Sequence, residues 1–457
     1  MKKFLSLMLL ASLTIVSQKM SAQTGNDNYV TITTESGNYD GQWVFCVAPY
    51  EQPFVEGCWI DWNNNGTKEE GEDITEDEWL GFVVHELDSK TISIYGDITY
   101  MNFYGLSLTD IDFSHSNTLE YLDVSGNLLE SIDLSKTTSI KDVILGDNPF
   151  SSIDFVNAPQ LRTINLSWNP NLTEVDISTQ KALEEFVFTD NENISHFDFT
   201  PNPNLKILYL EALPIETIDL TPNTKLTQIQ VAFSDLKEIK LPDAPGMESV
   251  ALYNNNMSGT LDVSGYPNLK DVFLHNNNFS ELIIPKNAKD LAVICCFMND
   301  LQTDKFMPVI NDVFDRTTDP ELTRGCVFMV DSEPTDENVV DKNSLTESAV
   351  DILMEKGWDA IDYAGANMYP YFGIDDVTGI KEARYSKREI IVSEVAGQVV
   401  VKVPVTMIGK TLAVFDAAGA LVYTTKLTSS FTRIPALNNK KGAYIFKVNR
   451  QTVKAEI

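Results

Sequence analysis

Residues 61–72 hold the sharpest chemical signal in the chain. Asp61-Trp62-Asn63-Asn64-Asn65-Gly66-Thr67-Lys68-Glu69-Glu70-Gly71-Glu72 fits D-x-[DN]-x-[DN]-G-x5-E at every required position. Calcium, a hard cation, seeks roughly six to eight oxygens. The side chains of Asp61, Asn63 and Asn65, the carbonyl of Thr67 and a bidentate Glu72 would supply them, with Glu69 acting through water. Gly66 permits the sharp turn between ligands. Asparagine replaces an acid at Asn63 and Asn65, and Lys68 stands where an apolar residue is usual. Ca2+ is the expected cofactor, held with a Kd on the order of 10⁻⁴ to 10⁻³ M. The competing reading is a solvated Asn-Gly turn in an acidic loop. The flanks read as strand and loop, so the site would stand outside a helix–loop–helix frame.

A second group is an acidic column. Asp112, Asp133, Asp154, Asp176, Asp198, Asp219 and Asp262 each sit between apolar residues. It is either a stripe for cations and amines or a set of local bonds to turn amides and to hydroxyls such as Ser114, Ser135 and Ser178. Stacked like charges repel, which favours local bonding. A third group is aromatic. Tyr209, Phe233, Tyr253, Phe273, His275 and Phe297 are expected on one outward face and are the candidate ligand-binding residues. They would stack on a glycan or anchor a protein; the alternative is packing against a cap. Catalytic signals are poor. His85, His115, His196 and His275 are scattered. The chain has no zinc-protease helix, no G-x-S-x-G, no phosphate-binding loop and no pair of carboxylates singled out from the rest. The expectation is a protein that is not an enzyme.

The element that positions these residues is a repeat. Its leading apolar positions are Ile98, Leu119, Ile140, Leu161, Leu183, Leu205, Leu226, Met247, Leu269 and Leu291, at steps of 21 or 22 residues. A fixed period of this length predicts a solenoid, in which coils bury their apolar sides only by stacking. In the coil from Leu119, Leu122 and Val124 point inward while Tyr121 and Asp123 point outward. Asparagine follows at the bend in Asn127, Asn148, Asn169, Asn191, Asn255, Asn277 and Asn299, where its amide can serve open backbone groups. Leu213 and Ser234 interrupt that ladder. Each coil is predicted to carry two short strands and no helix.

The doubled L-x-x-L-x-L and L-D-L halves resemble bacterial leucine-rich repeats of 21 residues. The resemblance implies a scaffold that is mostly a surface or secreted binding protein. The C-terminal residues Leu412-Ala413-Val414-Phe415-Asp416, Gly419, Leu421-Val422, Leu437 and Gly442-Ala443-Tyr444-Ile445-Phe446-Lys447-Val448 resemble the sorting domain of Bacteroidetes type IX secretion. That implies passage through secretion machinery. The basic tail usual in such domains is weak in Lys454-Ala455-Glu456-Ile457.

Composition sets the bounds. A formal charge of -32 disfavours nucleic-acid and anionic-membrane partners and favours calcium and basic ones. Met1-Lys2-Lys3, the apolar run Phe4 to Val16 and Met20-Ser21-Ala22-Gln23 read as a secretory signal. No later segment reads as membrane-spanning. Cys46 and Cys58 are either a disulfide or two buried thiols; Cys295 and Cys296 point to opposite faces of one strand. The expected fold class is mainly β. A signal peptide (1–22) is followed by an N-terminal β cap domain (23–90), a solenoid of about ten coils (91–300) and a C-terminal α/β cap (301–363). A linker (364–386) and a β-sandwich (387–457) complete it. The expected function is a secreted or cell-surface protein that binds a protein or glycan through the strand face. A non-catalytic structural spacer is the alternative, and a glycan-active enzyme is a third reading.

Overall fold

The computed structural model describes residues 28–37, 41–48, 54–334, 340–371, 373–374, 390–395, 398–403, 407, 409–427, 431–437, 440–448 and 451–457. The expected signal segment and most of the expected linker lie outside the described residues. The chain forms two compact units, Met1–Asp243 and Ala244–Ile457.

The first unit opens with an antiparallel sheet in the order Trp59–Asp61, Thr91–Tyr95, Tyr29–Thr34, Leu108–His115. Val30, Ile32, Ile92 and Ile94 alternate into its core. Thr91–Tyr95 pairs inside this sheet and not with the coils, and Leu108–His115 joins the same sheet from the far side of the first coil. Cys46 and Cys58 are free thiols. Seven short parallel strands follow, one per coil: Tyr100–Asn102, Tyr121–Asp123, Asp142–Ile144, Thr163–Asn165, Glu185–Thr189, Ile207–Glu211 and Gln228–Ala232. The leading residues from Leu119 to Leu226 are fully buried, and Ile98 nearly so.

The expected second strand of each coil forms in few places. Among the described residues of this unit, Thr217–Asp219 pairs with Glu238–Lys240, and the segments around Asp133, Asp154, Asp176 and Asp198 are not strands. Asp133 Oδ1 accepts the Ser135 N–H at 2.8 Å, and Asp154, Asp176, Asp198 and Asp219 take the amide two residues on in the same way, Asp219 from within a paired strand. The acidic column is thus a set of local turns; hydrogen bonds from the Ser135 amide and hydroxyl lower the carboxyl pKa of Asp133, and bonds from the hydroxyls, then the amides, of Ser178 and Thr200 lower those of Asp176 and Asp198.

The second unit carries parallel strands Ser249–Ala251, Asp271–Phe273, Val293–Cys295, Gly325–Val330 and Trp358–Asp362. Tyr369–Pro370 closes that series antiparallel. Helices Thr303–Asp312 and Glu347–Glu355 connect the last strands as crossovers and bury Phe306, Val309, Val350 and Leu353. At the C-terminal end, three-stranded and four-stranded antiparallel sheets share a core of Val399, Val401, Leu412, Val414, Phe446 and Val448.

Asparagine ties coil to coil in both units. Asn148 is buried; its Nδ2 donates to Val124 O at 2.9 Å, and its Oδ1 accepts Leu129 N–H at 3.1 Å. Asn277 repeats this with Leu252 O and Met257 N–H. At the interruption, Ser234 Oγ receives the Leu213 N–H at 3.3 Å in place of an amide. The ladder also runs past its expected end. Asn343, far down the chain, accepts Leu301 N–H and donates to Cys296 O and Met329 O.

Candidate functional site

The acidic loop closes on itself. Asp61 ends its strand fully buried; its Oδ1 accepts Asn65 N–H at 3.0 Å and its Oδ2 accepts Gly66 N–H at 2.6 Å. Asn63 Oδ1 accepts Asn65 N–H, and Asn65 Oδ1 accepts Thr67 N–H. Glu72, also buried, takes Trp62 N–H and Glu69 N–H on its two oxygens. Glu69 bridges the side-chain amides of Asn63 and Asn65. Asn64 and Gly66 take left-handed conformations at φ 52° and 76°, which let the amides converge. Asp61, Asn63, Asn65 and Glu72, four of the expected ligand residues, each turn side-chain oxygens onto the loop's own amides. Each bonded oxygen keeps a second lone pair, so the donor set fits a hard cation. Among the described residues, no group of three or more His, Cys, Asp or Glu is arranged to hold a metal ion.

The outward strand face of the first unit is defined by register. Tyr100, Tyr121, Asp142, Thr163, Glu185, Ile207 and Gln228 form one column; Asn102, Asp123, Ile144, Asn165, Val187, Tyr209 and Gln230 form the next. Tyr100 and Tyr121 stack at 4.3 Å. Burial, together with the charge of Asp142 across Thr163, raises the carboxyl pKa of Glu185. Glu211 accepts from Gln230, and Tyr209 donates to Gln228 Oε1 at 2.7 Å. These seven strands contain no lysine or arginine. The nearby lysines are committed at the flank: Lys141 pairs with Glu120 at 2.6 Å and Lys206 with Glu184 at 2.8 Å.

Phe233 departs from the expectation. It lies beyond the end of its strand at φ 48°, 54% exposed, at the corner of the coil. Asp147, Trp168, Asp190 and Ala212 hold the same left-handed corner in preceding coils. The corner recurs one residue before the bend whether asparagine follows, as at Asn148, Asn169 and Asn191, or Leu213 and Ser234 do; the sequence period marks the position but not its conformation. Trp168, which sequence reasoning passed over, is 60% exposed there.

In the second unit, Tyr253, His275 and Phe297 form one stack with Tyr363, at centroid separations of 4.7, 4.7 and 4.6 Å. Phe273 belongs to the neighbouring column, paired with Ala251 and Cys295. Phe297 is buried, and Tyr253, His275 and Tyr363 are half-buried. Cys295 Sγ lies 3.3 Å from His275 Nδ1. Burial pulls the His275 pKa down to about 4 and pushes the Cys295 thiol up to about 12, so both are neutral near pH 7. Part of the expected binding patch is therefore internal packing, and its exposed margin is Tyr253 and Tyr363. Among the described residues, no helix is long and apolar enough to cross a membrane.

No protein-family model and no curated protein matches this sequence. Solved structures do. An internalin from Listeria monocytogenes is similar at 17% identity over 47% of this chain and 78% of its own, with a TM-score of 0.32. The functional domain of InlJ from Listeria monocytogenes is similar at 18% identity over 79% of this chain and 76% of its own, with a TM-score of 0.33. The leucine-rich repeat domain of APL1B is similar at 19% identity over 45% of this chain, with a TM-score of 0.37; the match spans 64% of that domain. The fold itself is carried by the period, the parallel strand register and the buried asparagines: the coils are leucine-rich repeats, in a mainly β protein.

Proposed function

We propose that this protein is an exported recognition protein whose outward strand face binds a basic protein partner. The carrying observation is the strand face of the first unit, where Asp123, Asp142, Glu185 and Glu211 stand among tyrosines with no lysine or arginine in the strands; at its flank Lys141 and Lys206 are paired and Arg162 is exposed. Such a face attracts and orients a partner rich in lysine and arginine. Rigid coils supply it without ordering cost. Export is supported by the basic-apolar N-terminus and by the resemblance of residues 387–457 to a sorting domain.

The test is an array of secreted and surface proteins probed with the full chain and with Asp142→Lys/Glu185→Lys. The expected result is binding to basic members that weakens with salt, and a loss of about tenfold or more in the reversed variant. No binding by either chain would favour the structural-spacer reading, and equal binding by both would move the contact away from Asp142 and Glu185.

A second reading concerns the loop at 61–72. The convergence of Asp61, Asn63, Asn65 and Glu72 supports a weak structural calcium site that fixes the first unit's cap. Calcium there would share oxygens already held by loop amides, so binding would tighten an existing turn.

A further inference from the structure

A cavity of about 160 Å³ lies where coils of the second unit turn away from their strands. The residues that give it chemistry are Asn276, Asn278, Met298, Asp300, Val340 and Lys342. Two rows of exposed amides run into it. Asn276 Nδ2 donates back to Asn254 Oδ1 at 2.8 Å, and Asn278 Nδ2 donates back to Asn256 Oδ1 at 3.3 Å. At the next coil both rows change character. Met298 holds the left-handed corner after Asn276, at φ 56° in both residues. Asp300 takes the position after Asn278. Neither a thioether nor a carboxylate can donate to an amide oxygen. Among the described residues, Asn276 Oδ1 and Asn278 Oδ1 accept no hydrogen bond, and each amide keeps a second N–H at the cavity that both residues line.

Two charges complete the lining. Asp300 accepts Gln302 Nε2 at 3.1 Å and is otherwise open to solvent. Lys342 is exposed and forms no ion pair among the described residues, whereas Lys270 and Lys305 in the same unit pair with Glu248 and Glu281. One ammonium and one carboxylate leave the cavity near neutral within a strongly acidic chain. Val340, 68% exposed, and Met298 add apolar surface.

A ligand that matches this lining is uncharged and has groups that donate and accept at once, as hydroxyls do. It also presents a C–H face to Met298 and Val340. The volume is below the roughly 300–1,000 Å³ of sites for larger organic ligands, so one ring fits and an extended peptide with side chains does not. We propose that this cavity is a saccharide subsite that takes one neutral, hydroxyl-rich ring of a glycan. It is built from residues of the second unit, whereas the proposed protein-binding face is built from residues of the first, and it does not depend on the protein-binding reading.

The experiment titrates the full chain by calorimetry with neutral gluco-, galacto- and manno-oligosaccharides, with oligogalacturonate as the anionic control. The expected result is binding of at least one neutral series, weakened about tenfold or more by Asn276→Ala/Asn278→Ala. Asp142→Lys/Glu185→Lys should bind saccharide like the unaltered chain. Lys342→Ala, which touches no coil-to-coil bond, should weaken binding about threefold or more even if the double variant melts early. The proposal is overturned if no neutral series binds at about 10 mM, a concentration that reveals even millimolar affinities. It is equally overturned if oligogalacturonate binds more tightly than every neutral series, or if the asparagine and lysine variants bind like the unaltered chain.

Discussion

The outward faces of the two units use the same rung in opposite ways. In the second unit, Tyr253, His275, Phe297 and Tyr363 pile ring on ring at 4.6–4.7 Å. That is the spacing of hydrogen-bonded strands, about 4.7–4.9 Å, so the backbone itself sets a distance suited to stacked rings. In the first unit the columns carry acids, and the same spacing would force like charges together. The columns avoid this: Thr163 separates Asp142 from Glu185, and Ile144 follows Asp123. A face that must stay charged is diluted rung by rung; a face of rings can be continuous, and it partly buries itself. On both faces these side chains are half-buried, apart from Phe297, which the ring stack covers.

This contrast can be broken first through the ladder that both units share. Asn148→Ala would leave Leu129 N–H without its buried partner and Val124 O with the Asn127 amide alone, and Asn277→Ala would do the same to Met257 N–H and to Leu252 O, which keeps the Asn255 amide. Each should cost about 2–4 kcal/mol in chemical denaturation. A cost below about 1 kcal/mol in one unit alone would mean that its face, and not its ladder, sets the rung there.

Acid sharpens the contrast next. The His275 pKa near 4 lies below the ordinary value of 6.5. The unfolded chain therefore takes up the proton first, and the stability due to the neutral ring is present above pH 6.5 and lost as pH falls toward 4. The loss should be on the order of 2 kcal/mol. His275→Phe should keep the stack and flatten this part of the stability–pH curve relative to the unaltered chain. Parallel curves for the two proteins would show that the imidazole does not titrate as a buried group.

The smallest expected effect is that of calcium. At about 1 mM, a site with a Kd on the order of 10⁻⁴ to 10⁻³ M adds roughly 1 kcal/mol. Thermal unfolding with calcium and with chelator should differ by that amount, and Asp61→Asn should abolish the difference. Superimposed transitions would leave the loop as a hydrogen-bonded turn.

Period and alternation make the coil core and its outward face legible in the residues alone. The leading residues Leu119 to Leu291 are all fully buried, because a stacked coil has only one place to hide them. Tyr121 and Asp123 face outward for the same reason. Residue patterns hide other features, some of which depend on distance. The second strand forms in few coils, and Asp219 makes the same local amide bond from within a paired strand, so the aspartate at that position does not decide it. Phe233 sits at a left-handed corner that residue type does not announce. The burial of Phe297 needs Tyr363, which lies outside the repeat. The Asp61 loop is legible as a turn from its asparagines and glycine, while its ligand is a matter for experiment.

Asn343 has an evolutionary consequence. The final amide tie is made by a segment that belongs to no coil, and it grips Leu301, Cys296 and Met329 together. Whole repeats inserted or deleted upstream would leave this clasp untouched. Length can then drift between relatives while the seal stays fixed, and a lineage could lengthen its recognition surface without reinventing the end.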